Sequence, residues 1–323
     1  MTSSYLPLTP RQLGRTELLV SPICIGGAPL GDMSDAFGYS VPTDRALATL
    51  RAAFASPINF TDTAAIYGDG ESERRFGLVL RELGGLPAGA VLATKADRDP
   101  KTNDFSGEQI RRSVTESLER LGLSHIQLMY IHDPEHSTFE EIMGPGGAFE
   151  VLRAFQDEGV IGHLGISGGP IDMLIRYVET DGFVAVETHN RYTLLNRSAA
   201  PLLDVCAARG VAVVNAAPYA SGILAKGPDS SARYAYQEVP DLVLERVRRL
   251  AAICAEHGVP LAAAALQFSM RDPRVASTVI GITRPERIAQ TIELASHPIP
   301  DAIWPLLDAV GFDADDPEAN RFS

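Results

Sequence analysis

Short apolar runs alternate along the chain with longer stretches whose apolar positions recur every three or four residues. The runs are ICIG (23–26), INFTD (58–62), AVLATK (90–95), IQLMYIH (126–132), HLGIS (163–167), FVAVE (183–187), VAVVN (211–215) and STVIG (277–281). Their near-continuous hydrophobicity is that of parallel strands covered on both faces. Helical stripes lie between them. Ile110, Val114, Leu118 and Leu121 follow a capping box of Ser106 and Gln109; Ile171, Leu174, Ile175 and Val178 form a second stripe, and Leu242, Val243, Val247 and Leu250 a third. Eight such alternations, with no composition shift or long linker, predict an α/β fold: one (β/α)8 TIM barrel, a single domain over residues 1–323. QLGRTELLV, with its GRTE turn, predicts a small N-terminal β-hairpin ahead of the first barrel strand.

A doubly wound sheet is the competing architecture. It calls for G-x-G-x-x-G after the first strand, and IGGAPLGDM lacks that spacing. A bound nucleotide is therefore not expected to be held in the Rossmann manner.

Composition narrows the partners. Hydrophobic residues make up 45% and charged residues 21% of 323, a globular balance. No apolar run approaches the ~18 residues of a membrane span, and MTSSYLPLTP lacks the basic start and apolar stretch of a signal peptide. The expectation is a soluble cytoplasmic protein with no membrane partner. A formal net charge of −13 disfavours nucleic acid and anionic membrane surfaces. A local arginine cluster can still hold an anionic cofactor. Cys24, Cys206 and Cys254 are odd in number and without C-x-x-C spacing, which points to core thiols rather than a disulfide framework or a zinc site.

Basic residues carry the first chemical signal. Of 28 lysines and arginines only Lys95, Lys101 and Lys226 are lysine, and Lys95 ends an apolar strand. A buried lysine in an arginine-preferring chain points to chemistry that needs a compact, titratable ammonium. In a barrel the C-terminal strand ends share one mouth, where catalysis sits. Asp62 ends the second strand, Lys95 the third and His132 the fourth, with Tyr67 on the loop leaving the second. Singly, each has a structural role open to it: a turn residue, a snorkelling stem, a satisfied core histidine, a loop aromatic. Jointly they form one proton-handling site. Asp62 pairs with Lys95, and Lys95 lowers the pKa of Tyr67 from its usual ~10. Tyr67 then serves as general acid or base, and His132 orients a substrate carbonyl. Such a set suits carbonyl reduction or alcohol oxidation, with the hydride supplied by a cofactor.

At this point the chain resembles the aldo-keto reductase superfamily, from the QLGRT hairpin to the last helices. DTAAIYGDGESERRFG is similar to a family signature and carries Asp62 and Tyr67; ATK carries Lys95 and YIHD carries His132. RRSVTESLERLGL and IGHLGIS resemble family segments on the third helix and fifth strand. The resemblance implies NADP or NAD bound in an extended pose across the mouth. It implies that Ser167 holds the nicotinamide carboxamide. Gly168 stands where the family usually has Asn, and the usual Gln of the sixth strand falls at Ala185 or Glu187. Tyr219, in VVNAAPYASGIL, is similar to the aromatic that stacks on nicotinamide. VIGITRPERIAQTIELA resembles the segment that holds the adenosine phosphate, with Gly281, Thr283, Arg284, Arg287 and Gln290 as cofactor contacts. Gly281 and Ile282 replace the Lys-Ser pair of many NADP-preferring members, which implies use of both cofactors. GGAPLG, IHDPEH and NAAPYASGIL look closest to the sugar dehydrogenase branch, which includes D-threo-aldose 1-dehydrogenase (L-fucose dehydrogenase) and pyridoxal 4-dehydrogenase-like enzymes. The implied substrate is a small sugar or aldehyde. Asp32, Asp35, Asp133, Glu135 and His189 on the mouth loops are polar groups able to bind hydroxyls.

Two other functions compete. A metal-dependent barrel hydrolase could use His132, Asp133 and His136, but no His-x-His opens the first strand. A non-catalytic, nucleotide-sensing barrel subunit would have no use for the complete Asp62–Tyr67–Lys95–His132 set.

Overall fold

Eight parallel strands close into a barrel in chain order: β1 Ile23–Gly26, β2 Phe60–Asp62, β3 Val91–Ala96, β4 Ile126–His132, β5 Ile161–Ser167, β6 Ala185–His189, β7 Ala212–Ala216 and β8 Val275–Gly281, with β8 returning to pair with β1. The computed structural model describes residues 8–34, 38–229, 233–235 and 237–319. Helices join successive strands and cover the outside, as the alternation of patterns predicts. Ahead of the barrel, Arg11–Gln12 and Leu19–Val20 pair antiparallel. The fully buried Leu13 and Val20 of this hairpin pack with Val91, Ala185, Ala212 and Ala276, so it plugs the end where the strands begin. Among the described residues no single helix is long and apolar enough to cross a membrane.

Four strands start later than their apolar runs. β2 begins at Phe60 because Ile58 packs in the outer layer and the Asn59 side chain bonds the Leu19 and Gly89 carbonyls and the Ser21 amide. β6 begins at Ala185 because Phe183 stacks edge-on against Phe149 and Tyr177 under the helices. β3 and β7 each start one residue late, at Val91 and Ala212. The capping box forms only by half. Ser106 accepts from the Gln109 amide of helix Gly107–Leu121, but the Gln109 side chain donates instead to the Asp97 carbonyl, 3.1 Å away. Leu242, expected in the apolar stripe, is instead 55% exposed; Val243, Val247, Leu250 and Cys254 form the buried face of helix Asp241–Glu256.

Alternate residues of the strands point into the barrel, and the inward series explain where the polar groups lie. Phe60 is followed at period two by Asp62, Val91 and Ala93 by Lys95, Leu128 and Tyr130 by His132, and Ala185 by Glu187. Each series is apolar at depth and polar at the C-terminal end. Gly165 on β5 makes room inside: a Cβ there would lie 2.4 Å from the Tyr130 ring. The register then sets neighbours at the mouth, with His132 beside Ser167 and Ser167 beside Glu187.

Candidate active site

Lys95 is fully buried, and an unpaired ammonium there would be prohibitively costly. Its Nζ lies 2.5 Å from Asp62 Oδ2, donates to the Thr63 carbonyl at 3.0 Å and stands 3.4 Å from Glu187 Oε1. Burial works against the charge, but Asp62, Glu187 and Tyr67 outweigh it and hold the lysine well above its ordinary range. The ammonium lies 4.9 Å from the centre of the Tyr67 ring. Asp62 is pushed up to about 7, first by burial and then by Glu187.

The Tyr67 loop is held by close backbone contact. Gly68 has φ +62°, and a Cβ on it would fall 1.9 Å from the Gly31 carbonyl oxygen, so only glycine fits. Ser72, at the start of helix Glu71–Leu83, donates to the Gly27 carbonyl at 2.8 Å and meets Thr63 Oγ1 at 2.8 Å. These contacts press the loop after β1 against the loop after β2. The Tyr67 ring meets His132 edge to face, with centroids 5.7 Å apart.

One expectation is reversed here. Tyr67 is not lowered by Lys95; burial raises the phenol well above its ordinary range, and the carboxylates Asp62 and Glu187 reinforce burial against Lys95. The phenol is therefore protonated at neutral pH.

His132 has a partner that the motifs do not reveal. Its Nδ1 lies 2.6 Å from Asp97 Oδ1, and its Nε2 is 3.6 Å from Asp133 Oδ1. Burial disfavours the charged ring, but Asp133 and Asp97 overcome it and raise the pKa to about 9. The other oxygen of Asp97 accepts from the Ile66 amide at 2.9 Å, next to Tyr67. Asp97 is itself fixed by helix Gly107–Leu121, whose Ser113 Oγ accepts its amide at 3.0 Å. It sits two residues beyond Lys95, so the inward parity of β3 was the available signal.

Several of the loop polar groups already have partners within the chain. Asp32 Oδ1 accepts from Ser40 Oγ and the Val41 amide of its own loop. Glu135 Oε1 accepts from the Gly169 amide at 3.0 Å. His189 Nε2 lies 3.1 Å from Glu318 Oε1, and Asn190 and Arg191 donate to the same oxygen at 2.9 and 3.2 Å. These partners override burial and hold Glu318 well below the usual carboxylate range. Asp133 remains beside His132, and Asp35 lies outside the described residues.

The expected cofactor residues share the same mouth. Ser167 and Gly168 follow β5, Tyr219 lies on the turn after β7, and Gly281 to Gln290 follow β8. Tyr219 is pushed up to about 12 by burial, with the Arg287 cation acting against it. Arg284, Arg287 and Gln290 are exposed, and Thr283 is half-buried.

The model of the aldo/keto reductase family matches residues 22–311, the whole barrel with its mouth. The chain belongs to the aldo/keto reductase family. This aldo/keto reductase is 35% identical to D-threo-aldose 1-dehydrogenase of a Pseudomonas species, over 89% of this chain and 93% of that enzyme. It is 32% identical to pyridoxal 4-dehydrogenase of Microbacterium luteolum, over 93% of this chain and 97% of that enzyme. The solved holo form of an aldo-keto reductase from Bacillus halodurans has the same fold, with a TM-score of 0.78 at 23% identity, over 97% of this chain and 99% of that one.

Proposed function

We propose that this aldo/keto reductase is an NAD(P)-dependent enzyme that interconverts a hemiacetal or alcohol with a carbonyl, acting as an aldose 1-dehydrogenase or on a related aldehyde. The observation that carries this is the buried Lys95–Asp62 pair beneath Tyr67, with a protonated His132 at the edge of the ring. The 35% identity to an aldose dehydrogenase supports the sugar as substrate class.

In carbonyl reduction Tyr67, protonated by virtue of its burial, gives its proton to the substrate oxygen. In alcohol oxidation the deprotonated tyrosine takes that proton back, and the adjacent Lys95 ammonium stabilises the phenolate. His132 spends Nδ1 on Asp97 and keeps Nε2–H to hydrogen-bond the same oxygen. When bound, the dinucleotide supplies or accepts the hydride.

The residues present fit such a cofactor. Helix Glu286–Ser296 opens at the mouth without a side-chain cap, so its N-terminal dipole favours a phosphate there. Arg284, Arg287, Thr283 and Gln290 flank that end and would hold the adenosine phosphate; Ser167 and Gly168 would hold the nicotinamide, and Tyr219 would stack on it. Gly281 has a steric reason to carry no side chain: a Cβ there would lie 2.8 Å from Pro29. Recognition of a 2′-phosphate then rests on the two arginines, and both NADP and NAD are used.

A spectrophotometric screen at 340 nm tests the proposal, with aldoses and aldehydes crossed with NAD and NADP in both directions. The expected result is turnover of an aldose that Tyr67→Phe abolishes. No turnover with any pair would refute it and favour the non-catalytic barrel.

A further inference from the structure

Glu187 is an acid that the proton chemistry above does not use. It is 6% exposed, at the end of the inward series of β6, and its Oε1 stands 3.4 Å from Lys95 Nζ. The ammonium thus faces two carboxylates and the Thr63 carbonyl at once. Three polar atoms around it are buried with no hydrogen-bond partner among the described residues: Asp62 Oδ1, Glu187 Oε2 and Tyr130 Oη. Lys95 thus lies between two buried carboxyl groups, and their field acts on the nearest proton donor, Tyr67.

We propose that Glu187 is a positioning residue, a second counter-ion that competes with Tyr67 for Lys95 and so sets the pH at which Tyr67 exchanges its proton. This rests on the assignment of Tyr67 as the acid–base group. The charged and titratable groups facing the cluster come from five elements: Cys24 on β1, Asp62 on β2 with Tyr67 on its loop, Lys95 on β3, Tyr130 and His132 on β4, and Glu187 on β6. Of these, Lys95 and His132 are the cations; His132 is engaged by Asp97 and Asp133 of the β3 and β4 ends, which leaves Lys95 to face Asp62 and Glu187. Burial raises the Tyr67 phenol first, and Asp62 and Glu187 add to it.

The test is the pH dependence of kcat in Glu187→Gln, with cofactor affinity measured separately by fluorescence titration. Gln keeps the shape and removes the charge. The limb belonging to Tyr67 should move to lower pH by about one unit, a tenfold change in the proton equilibrium, while the cofactor Kd changes less than about threefold. Glu187→Asp keeps the charge one methylene further back and should move the limb less; it also serves if the Gln variant does not fold. An unmoved limb with weakened cofactor binding would overturn the proposal and make Glu187 a cofactor contact. An unmoved limb with unchanged binding would overturn it as well. Loss of the tyrosine limb's assignment is a separate matter, read from Tyr67→Phe: if that variant turns over normally, it is the acid–base role of Tyr67 that fails.

Discussion

Replacing Asp62 by Asn separates what this carboxylate does for chemistry from what it costs the fold. Its folded pKa of about 7 stands above its ordinary 3.8, through burial first and Glu187 second. The folded protein therefore holds the proton more tightly than the unfolded chain. Stability from this group is greatest at low pH and falls as pH rises from about 4 to about 7. Integrated between pH 5 and 8, the loss is roughly 3 kcal/mol. An unfolding entropy of ~2.1 cal/mol/K per residue makes this about 4 °C in Tm for a chain of this length. Asn has no such proton to lose, and Glu187 remains as counter-ion to Lys95. Thermal unfolding followed by circular dichroism should show Tm of Asp62→Asn, relative to the unsubstituted protein, rising by about 4 °C from pH 5 to pH 8. Turnover should fall about tenfold or more, because Lys95 loses its nearest anchor. A Tm difference that does not change with pH would refute the reasoning, since Asp62 would then be ionised throughout.

Tyr67→Phe should lower kcat by ~10²–10⁴-fold with cofactor Kd nearly unchanged, and more than about a tenth of the original kcat would reject Tyr67 as the acid–base residue. Asp97→Asn should lower the His132 pKa from about 9 toward its ordinary 6.5, read by NMR of the imidazole. Because that folded pKa is raised, the stability it contributes is full below about pH 6.5 and lost as pH rises to about 9; the variant should show a flatter slope in that window. Arg287→Ala should raise KM for NADP by ~10–100-fold, about 1.5–3 kcal/mol, and leave NAD nearly unaffected; equal losses would mean that Arg287 does not read the 2′ position.

All eight strands were legible because parallel strands covered on both faces are written as unbroken apolar runs. Their starts were not, since Ile58 and Phe183 are as apolar as ladder residues but pack under the helices. Asp62, Lys95 and His132 stood out because a polar residue closing a core strand needs a partner. Asp97 did not, because it reads as the first of several loop acids, with Asp99 and Asp104 behind it. The direction of the Tyr67 shift also escaped the sequence. The lysine is visible there, but the burial that raises the phenol, and the Glu187 carboxyl that adds to it, exist only once the barrel closes. The same holds for Glu318, which meets Arg191 across 127 positions of chain.

Asp97 gives its two oxygens to two different jobs, one to the His132 ring and one to the backbone beside Tyr67. The placement of the tyrosine and the charge of the histidine are therefore not independent variables. A loop graft between residues 63 and 70, made to widen the pocket for another substrate, would draw on the Asp97 carboxylate and change the donor strength of a ring it never touches. Engineering this mouth for a new substrate means selecting on pH and substrate together, with position 97 in the same library as the loop.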